Sequence, residues 1–156
     1  MVKLPKKMLF AVEAVLDISY HAGASVVQST DITRRQNIPR RYLEQALQAL
    51  VRGGVLIGVR GPRGGYRLAR ERRRISVGDI VRAIGGQEDG DDTNGGAANS
   101  PAAGSDLGRR VLLPLWDDLQ RDTMAKLDGV SIDELCGRAD AVGIASQGRD
   151  NLDFSI

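Results

Sequence analysis

With 156 residues, 42% of them hydrophobic but only 4% aromatic, the chain holds one compact domain plus something extended or oligomeric. Its net charge of +2 hides an asymmetry: residues 1–82 carry 16 Lys and Arg against 6 Asp and Glu, a net of +10, whereas residues 83–156 carry 6 against 14, a net of −8. No apolar run is long enough to span a bilayer, and the single cysteine, Cys136, excludes an intrachain disulfide and a zinc cluster.

The N-terminus is basic and then amphipathic, without a small-residue cleavage site, so a cytoplasmic protein is expected. The core has to come from Leu, Val, Ile and Ala. A basic front half suits a polyanion, which would repel the acidic rear half.

In chain order, Lys3 to about Ala22 reads as a first helix. Leu9, Val12, Val15, Leu16 and Ser19 follow the helical period, widened by Met8, Ala11 and Ile18. Lys3, Lys6 and Lys7 sit at its start, the wrong end for the macrodipole, which is a mild argument that they face something anionic, although solvated termini are the commoner explanation. His21, the only histidine, reads as a helix-end residue. Gly23 closes the helix and Val26-Val27 is a short extended piece. Ser29 or Thr30 then caps a helix over about Asp31 to Gln36, and Asn37-Ile38-Pro39 is a turn.

Pro39 suits a first helical position because its missing N–H would have no partner there. Leu43, Ala46, Leu47 and Leu50 form one apolar face behind it, while Arg40, Arg41, Glu44, Gln45 and Gln48 lie opposite. Gly53-Gly54 stops this helix. Val55 to Val59 and Tyr66-Arg67-Leu68 flank a glycine-rich basic turn containing Arg63, so the segment is a hairpin. Two short helices, the second exposing arginines, followed by a basic hairpin describe a winged helix-turn-helix that binds duplex DNA.

Arg70 to Arg74 is a basic connector beside the hairpin. Ser76-Val77-Gly78-Asp79 resembles a capping box and opens a helix striped by Val77, Ile80, Val81 and Ile84. The winged domain is expected to span residues 1–86. Residues 87–105 hold no large apolar side chain and read as a disordered loop.

Residues 106–141 read as a long helix and a short follow-on. Asp106 is a candidate cap, and Leu112, Leu115, Trp116, Leu119, Thr123 and Leu127 share one face. Pro114 should kink the helix or mark its effective start. That stripe either packs on its own domain or forms a symmetric dimer seam; the dimer is favoured, because DNA readers of this size use two half-sites. Ser131-Ile132-Asp133-Glu134 is a full capping box for a last helix through about Arg138. Residues 142–156 read as a flexible tail.

The segments IPRRYLEQALQAL, GVLIGVRGPRGGYRLAR and ISVGDIVRAIGG resemble the Rrf-two family of bacterial winged-helix regulators. KLPKKMLFAVEAVLDISY and LWDDLQRDTMAKLDGVSIDEL resemble that family's first helix and its dimerisation helix. The resemblance implies a mainly α fold with a small β-hairpin wing, a winged helix-turn-helix plus a long C-terminal dimerisation helix. It places Arg40, Arg41, Tyr42, Glu44 and Gln45 at base-reading positions, where Arg suits guanine, Glu the cytosine amino group and Gln adenine. Arg60, with Arg63 nearby, suits the minor groove. Lys3, Arg34 and Arg35 suit phosphates.

One departure matters. The family's iron–sulfur members carry three cysteines ahead of the dimer helix, and those positions fall at about Ala98, Gly104 and Arg110, none of which ligates iron as a thiolate does. No cofactor or metal is therefore expected. Cluster-free members sense sulfur supply through cysteine synthase, an enzyme that also binds the isoleucine-ended tail of serine acetyltransferase. DNLDFSI resembles such a tail, with Phe154 and Ile156 as candidate contacts; the alternative is that Leu152, Phe154 and Ile156 pack on the protein itself.

The resulting expectation is a homodimeric repressor that binds double-stranded DNA. Its rivals are a protein-interaction module and a thiol-based redox sensor using Cys136, a residue whose surroundings, Arg138 apart, do little to activate it. An enzyme has little support: no histidine pairs with Cys136, and no glycine-rich phosphate loop precedes a helix.

Overall fold

A computed structural model describes residues 5–21, 25–85 and 104–146. Its elements in order are α1 (Lys6–His21), α2 (Ser29–Gln36), α3 (Arg40–Arg52), β1 (Leu56–Val59), β2 (Gly65–Leu68), a 3₁₀ turn (Arg72–Arg74), α4 (Val77–Gly85), a π turn (Gly108–Leu112), α5 (Leu113–Asp128) and α6 (Ile132–Ala141).

Helix α1 is the hub, touching α2, α3, α4, α6 and β2. Its buried face is Ala11, Ala14, Val15, Asp17 and Ile18. This face is rotated from the expected stripe: Leu9 is exposed, and Val12, Leu16 and Ser19 are half-buried. Small alanines let neighbouring helices approach closely, so the central helix buries its alanines rather than its largest side chains.

The turn between α2 and α3 is set by Asn37, which adopts a left-handed φ of 53° and donates its N–H to the Thr33 carbonyl at 2.9 Å. Asparagine tolerates that conformation better than most residues. Ile38 beside it is buried and pins the turn to the core. Pro39 is the N-cap of α3 rather than its first helical residue, and its carbonyl accepts from the Leu43 N–H at 3.0 Å. Leu43, Ala46, Leu47 and Leu50 are buried as their spacing predicts, with Ala49 added. Helix α2 begins at Ser29, not Asp31, and its N-cap Gln28 makes no side-chain capping bond.

The hairpin pairs Leu56 with Leu68 and Val59 with Gly65 in antiparallel register. A third segment joins it: Val27 and Tyr66 exchange both backbone hydrogen bonds, at 2.9 and 2.8 Å. The extended Val26-Val27 piece therefore ties the wing to the entry of α2. At Gly64 an added Cβ would lie 2.1 Å from the Val59 carbonyl oxygen, so only glycine closes this turn.

Helix α4 opens with a reciprocal capping box. The Asp79 N–H donates to Ser76 Oγ and the Ser76 N–H to Asp79 Oδ2, each at 3.0 Å. Before α5 it is Ser105, not Asp106, that caps, accepting from the Gly108 N–H at 3.0 Å. Asp106 instead pairs with Arg109 at 2.7 Å. Pro114 stands in the first turn of α5 and marks its effective start, one of the two outcomes expected of it. The wide π turn immediately before it accommodates a ring that cannot donate a hydrogen bond and crowds the preceding turn.

The boundary expected at residue 86 does not close the core. Ile132 and Cys136 of α6 are buried in the same cluster as Val15, Ile18 and Ile80. The Val77 N–H donates to the Val130 carbonyl and the Ile132 N–H to the Ile75 carbonyl, at 2.9 and 2.8 Å, so the chain after α5 returns to complete the winged domain. Ser131 caps α6 as its box predicts, accepting from the Glu134 N–H at 3.1 Å. The first residues after α6 are also tied down: Tyr20 Oη donates to the Ile144 carbonyl, and Ser146 Oγ donates to the Tyr20 carbonyl. Of the expected loop only Gly104 and Ser105 are described; the tail beyond Ser146 lies outside the described residues.

Candidate nucleic-acid interface

The polar face of α3 leads. Arg40, Arg41, Tyr42, Glu44 and Gln45 are all exposed, on the side opposite the buried leucines. Arg40 Nε donates to Glu44 Oε1 at 3.0 Å, one turn along the helix, an exposed pair that orients the carboxylate. The Tyr42 ring lies 6.0 Å from Phe10 of α1. That contact had no signal in the sequence. It sets the N-terminal half of α1 beside the first turn of α3; Lys6 and Lys7, at the start of α1, are exposed. Lys3 lies outside the described residues.

The second prong is the hairpin. Arg60 and Arg63 are exposed at its tip. A cleft of about 570 Å³ separates the tip from the start of α2, lined by Gln28, Ser29 and Thr30 on one wall and Val59, Arg60 and Gly61 on the other. Gln28 Nε2 reaches across to the Pro62 carbonyl at 3.5 Å.

The two arginines of α2 part company. Arg34 is exposed and pairs loosely with Asp31 at 3.0 Å. Arg35 differs from the phosphate role expected of it, because its guanidinium turns inward onto Asp17. Nε and a terminal nitrogen donate to the two carboxylate oxygens at 2.9 and 2.7 Å, and Gln36 Nε2 adds a third bond at 2.8 Å. The Asp17 side chain is 0% exposed and that of Arg35 14%. Hydrogen bonding to this carboxylate raises the Arg35 pKa above its ordinary value. Arg35 thus fastens α2 to α1. Sequence spacing cannot tell an inward arginine from an outward one.

Helix α5 has no buried residue. Leu112, Leu115, Trp116 and Leu119 are about half exposed, Leu127 is half-buried, and Leu107 and Val111 extend the same apolar surface toward the helix start. Cys136 is 3% exposed, its Sγ 3.1 Å from Ser19 Oγ, so solvent oxidants do not reach it while α6 stays docked. Phe154 and Ile156 lie outside the described residues. No helix among the described residues is long and apolar enough to cross a membrane.

Comparison with known proteins decides the family. The model of the Rrf2 (Rrf-two) family, iron-dependent transcriptional regulators, matches residues 4–138. The chain belongs to it. It is 35% identical to the HTH-type transcriptional regulator IscR of Aliivibrio salmonicida, over 99% of this chain and 88% of that protein. IscR of Vibrio atlanticus is 34% identical, over 99% and 85%. Among solved structures, T. potens IscR superposes with a TM-score of 0.70 at 28% identity, covering 93% of each chain. CymR, the global cysteine regulator of B. subtilis, has the same fold, with a TM-score of 0.65 at 22% identity over 88% of this chain and 98% of that one. The winged helix-turn-helix is thus the fold, and the Rrf2 chain is a transcriptional regulator rather than an enzyme.

The family is described as iron-dependent, and the three cysteines of its iron–sulfur members have no counterpart in this chain. Its whole sequence holds one cysteine and one histidine. That cysteine is sealed in the core, and the residues entering α5 are Ser105, Asp106, Leu107, Gly108, Arg109 and Arg110, with Asp106 held by Arg109. Among the described residues no three His, Cys, Asp or Glu converge. Thiolate ligation of an iron–sulfur cluster does not fit this donor set.

Proposed function

We propose that the chain is a homodimeric, cluster-free repressor that recognises a specific double-stranded operator. What carries the reading is the joint exposure of Arg40, Arg41, Tyr42, Glu44 and Gln45 on α3, beside a wing tipped by Arg60 and Arg63. α3 enters a major groove, with Arg41 suited to guanine and Gln45 to adenine. The wing arginines enter the flanking minor groove, and Lys3 and Arg34 meet phosphates.

Two protomers joined along α5 set the half-site spacing. The exposed leucines and Trp116 support this, since an apolar stripe of that length on a soluble chain marks an interaction surface. Repression follows from occupying the operator.

Selection from a random duplex pool tests the reading. A palindromic consensus should emerge, and Glu44→Ala should select a different one; a pool with no enrichment would overturn it. For the tail, Phe154 and Ile156 are proposed to dock into cysteine synthase through the terminal carboxylate. Deleting Ile156 should abolish binding in calorimetry, and an unchanged affinity removes that partner.

A further inference from the structure

The run Arg67 to Arg74 is absorbed by neither the reading helix nor the wing tip. It contains five arginines and one acid, Glu71. Two of the arginines have structural partners: Arg72 Nε pairs with Asp133 at 2.7 Å, and Arg70 reaches Asp79 at 3.6 Å. Arg67, Arg73 and Arg74 are exposed, and no ion pair is formed by them among the described residues. On β2, Arg67 stands opposite Ile57 on the exposed side of the hairpin, while Leu56 of the next pair is buried.

Arg73 and Arg74 are held on a fixed support. The Arg74 N–H donates to the Glu71 carbonyl at 2.8 Å, the next residue Ile75 is fully buried, and its carbonyl accepts from Ile132. Three cations on an anchored turn and strand lose less freedom on binding than three on a tail. Arg67 stands on β2, past the turn that carries Arg63, and the chain continues from it toward the connector.

We propose that Arg67, Arg73 and Arg74 form a second phosphate-binding ridge, which grips duplex DNA outside the segment read by α3 and the wing tip. The inference rests on the operator-binding reading and deepens it. A duplex carries one charge per roughly 1.7 Å of axis, so flanking DNA offers phosphates wherever such a ridge meets it, whatever the sequence.

The test compares two duplexes, one limited to the consensus selected from the random pool and one extended by about ten base pairs, one helical turn, on each side. The intact protein should bind the longer duplex at least tenfold more tightly and with a steeper dependence on salt. The triple variant R67A/R73A/R74A should lose that length advantage, its salt slope on the long duplex falling by about 2.7 per protomer, while affinity for the short duplex holds. A triple variant with lysine at the three positions should keep most of the advantage and shows that charge, not shape, is responsible. The ridge is refuted if the alanine variant retains the length advantage, or if it weakens both duplexes equally with its melting temperature unchanged. Binding of neither duplex by the intact protein would instead refute the operator reading itself.

Discussion

Asp17 is the residue on which the geometry of the DNA-facing helices depends most. A carboxylate buried this deeply is stable only while Arg35 and Gln36 satisfy it, and removing one partner from a buried pair costs far more than an exposed pair contributes. Asp17→Ala should therefore lower stability by about 3 kcal/mol in urea unfolding, and operator binding should fall with it because α2 loses its anchor. Arg34→Ala, at an exposed pair, should leave stability nearly unchanged. His21 adds a pH dependence. Burial lowers its pKa below 6.5, against a smaller opposing effect from Asp17. The unfolded chain then takes up a proton before the folded one as pH drops below 6.5, so stability present at neutral pH declines until the lower folded value is passed. Urea midpoints should fall between pH 7.5 and 5.5, and His21→Gln should flatten that part of the profile. Asp128 acts in the same direction at more acid pH. Its hydrogen bond from Arg82 lowers its pKa, so the stability it adds above the ordinary carboxylate range is lost as pH falls through its folded value.

At the scale of elements, the wing is the part most exposed to a single backbone change. Gly64→Ala would press a Cβ against the Val59 carbonyl, and no side-chain movement relieves a clash with backbone. The core helices do not depend on that turn. The variant should keep its α-helical circular dichroism and most of its melting temperature while losing at least tenfold in operator affinity. The reading helix makes a different prediction. Glu44 is held by Arg40, so replacing Glu44 changes which bases are accepted, by roughly 1–3 kcal/mol at one position, rather than weakening every sequence alike. Competition between single-base operator variants measures this directly.

The whole molecule divides its charge and its apolar surface between two tasks. Basic side chains collect on the winged domain, and among the described residues a long unburied apolar stripe lies on α5. If α5 is the seam of the proposed dimer, Trp116→Asp should give monomers in sedimentation equilibrium and weaken binding to a two-half-site operator far more than to a half-site. A sedimentation profile unchanged by that substitution would show that α5 is not the seam. Binding should also fall steeply with salt, since several arginines displace counterions.

The sequence by itself determined the helices, the hairpin and the exposed polar face of α3. Periodicity and glycine placement are local, and a side chain's polarity against its helical position largely decides whether it faces water. Leu43, Leu47 and the Ser76 and Ser131 caps show this. The chain also shows in its composition that it has too few thiols for a cluster. Only the tertiary structure decided where the domain ends, which way Arg35 points, and that Phe10 braces Tyr42. Those outcomes depend on contacts between residues far apart in the chain. Ile132 joins the core because α5 carries the chain back to it, and Arg35 turns inward because α1 presents a buried carboxylate that no neighbouring residue in the sequence reveals.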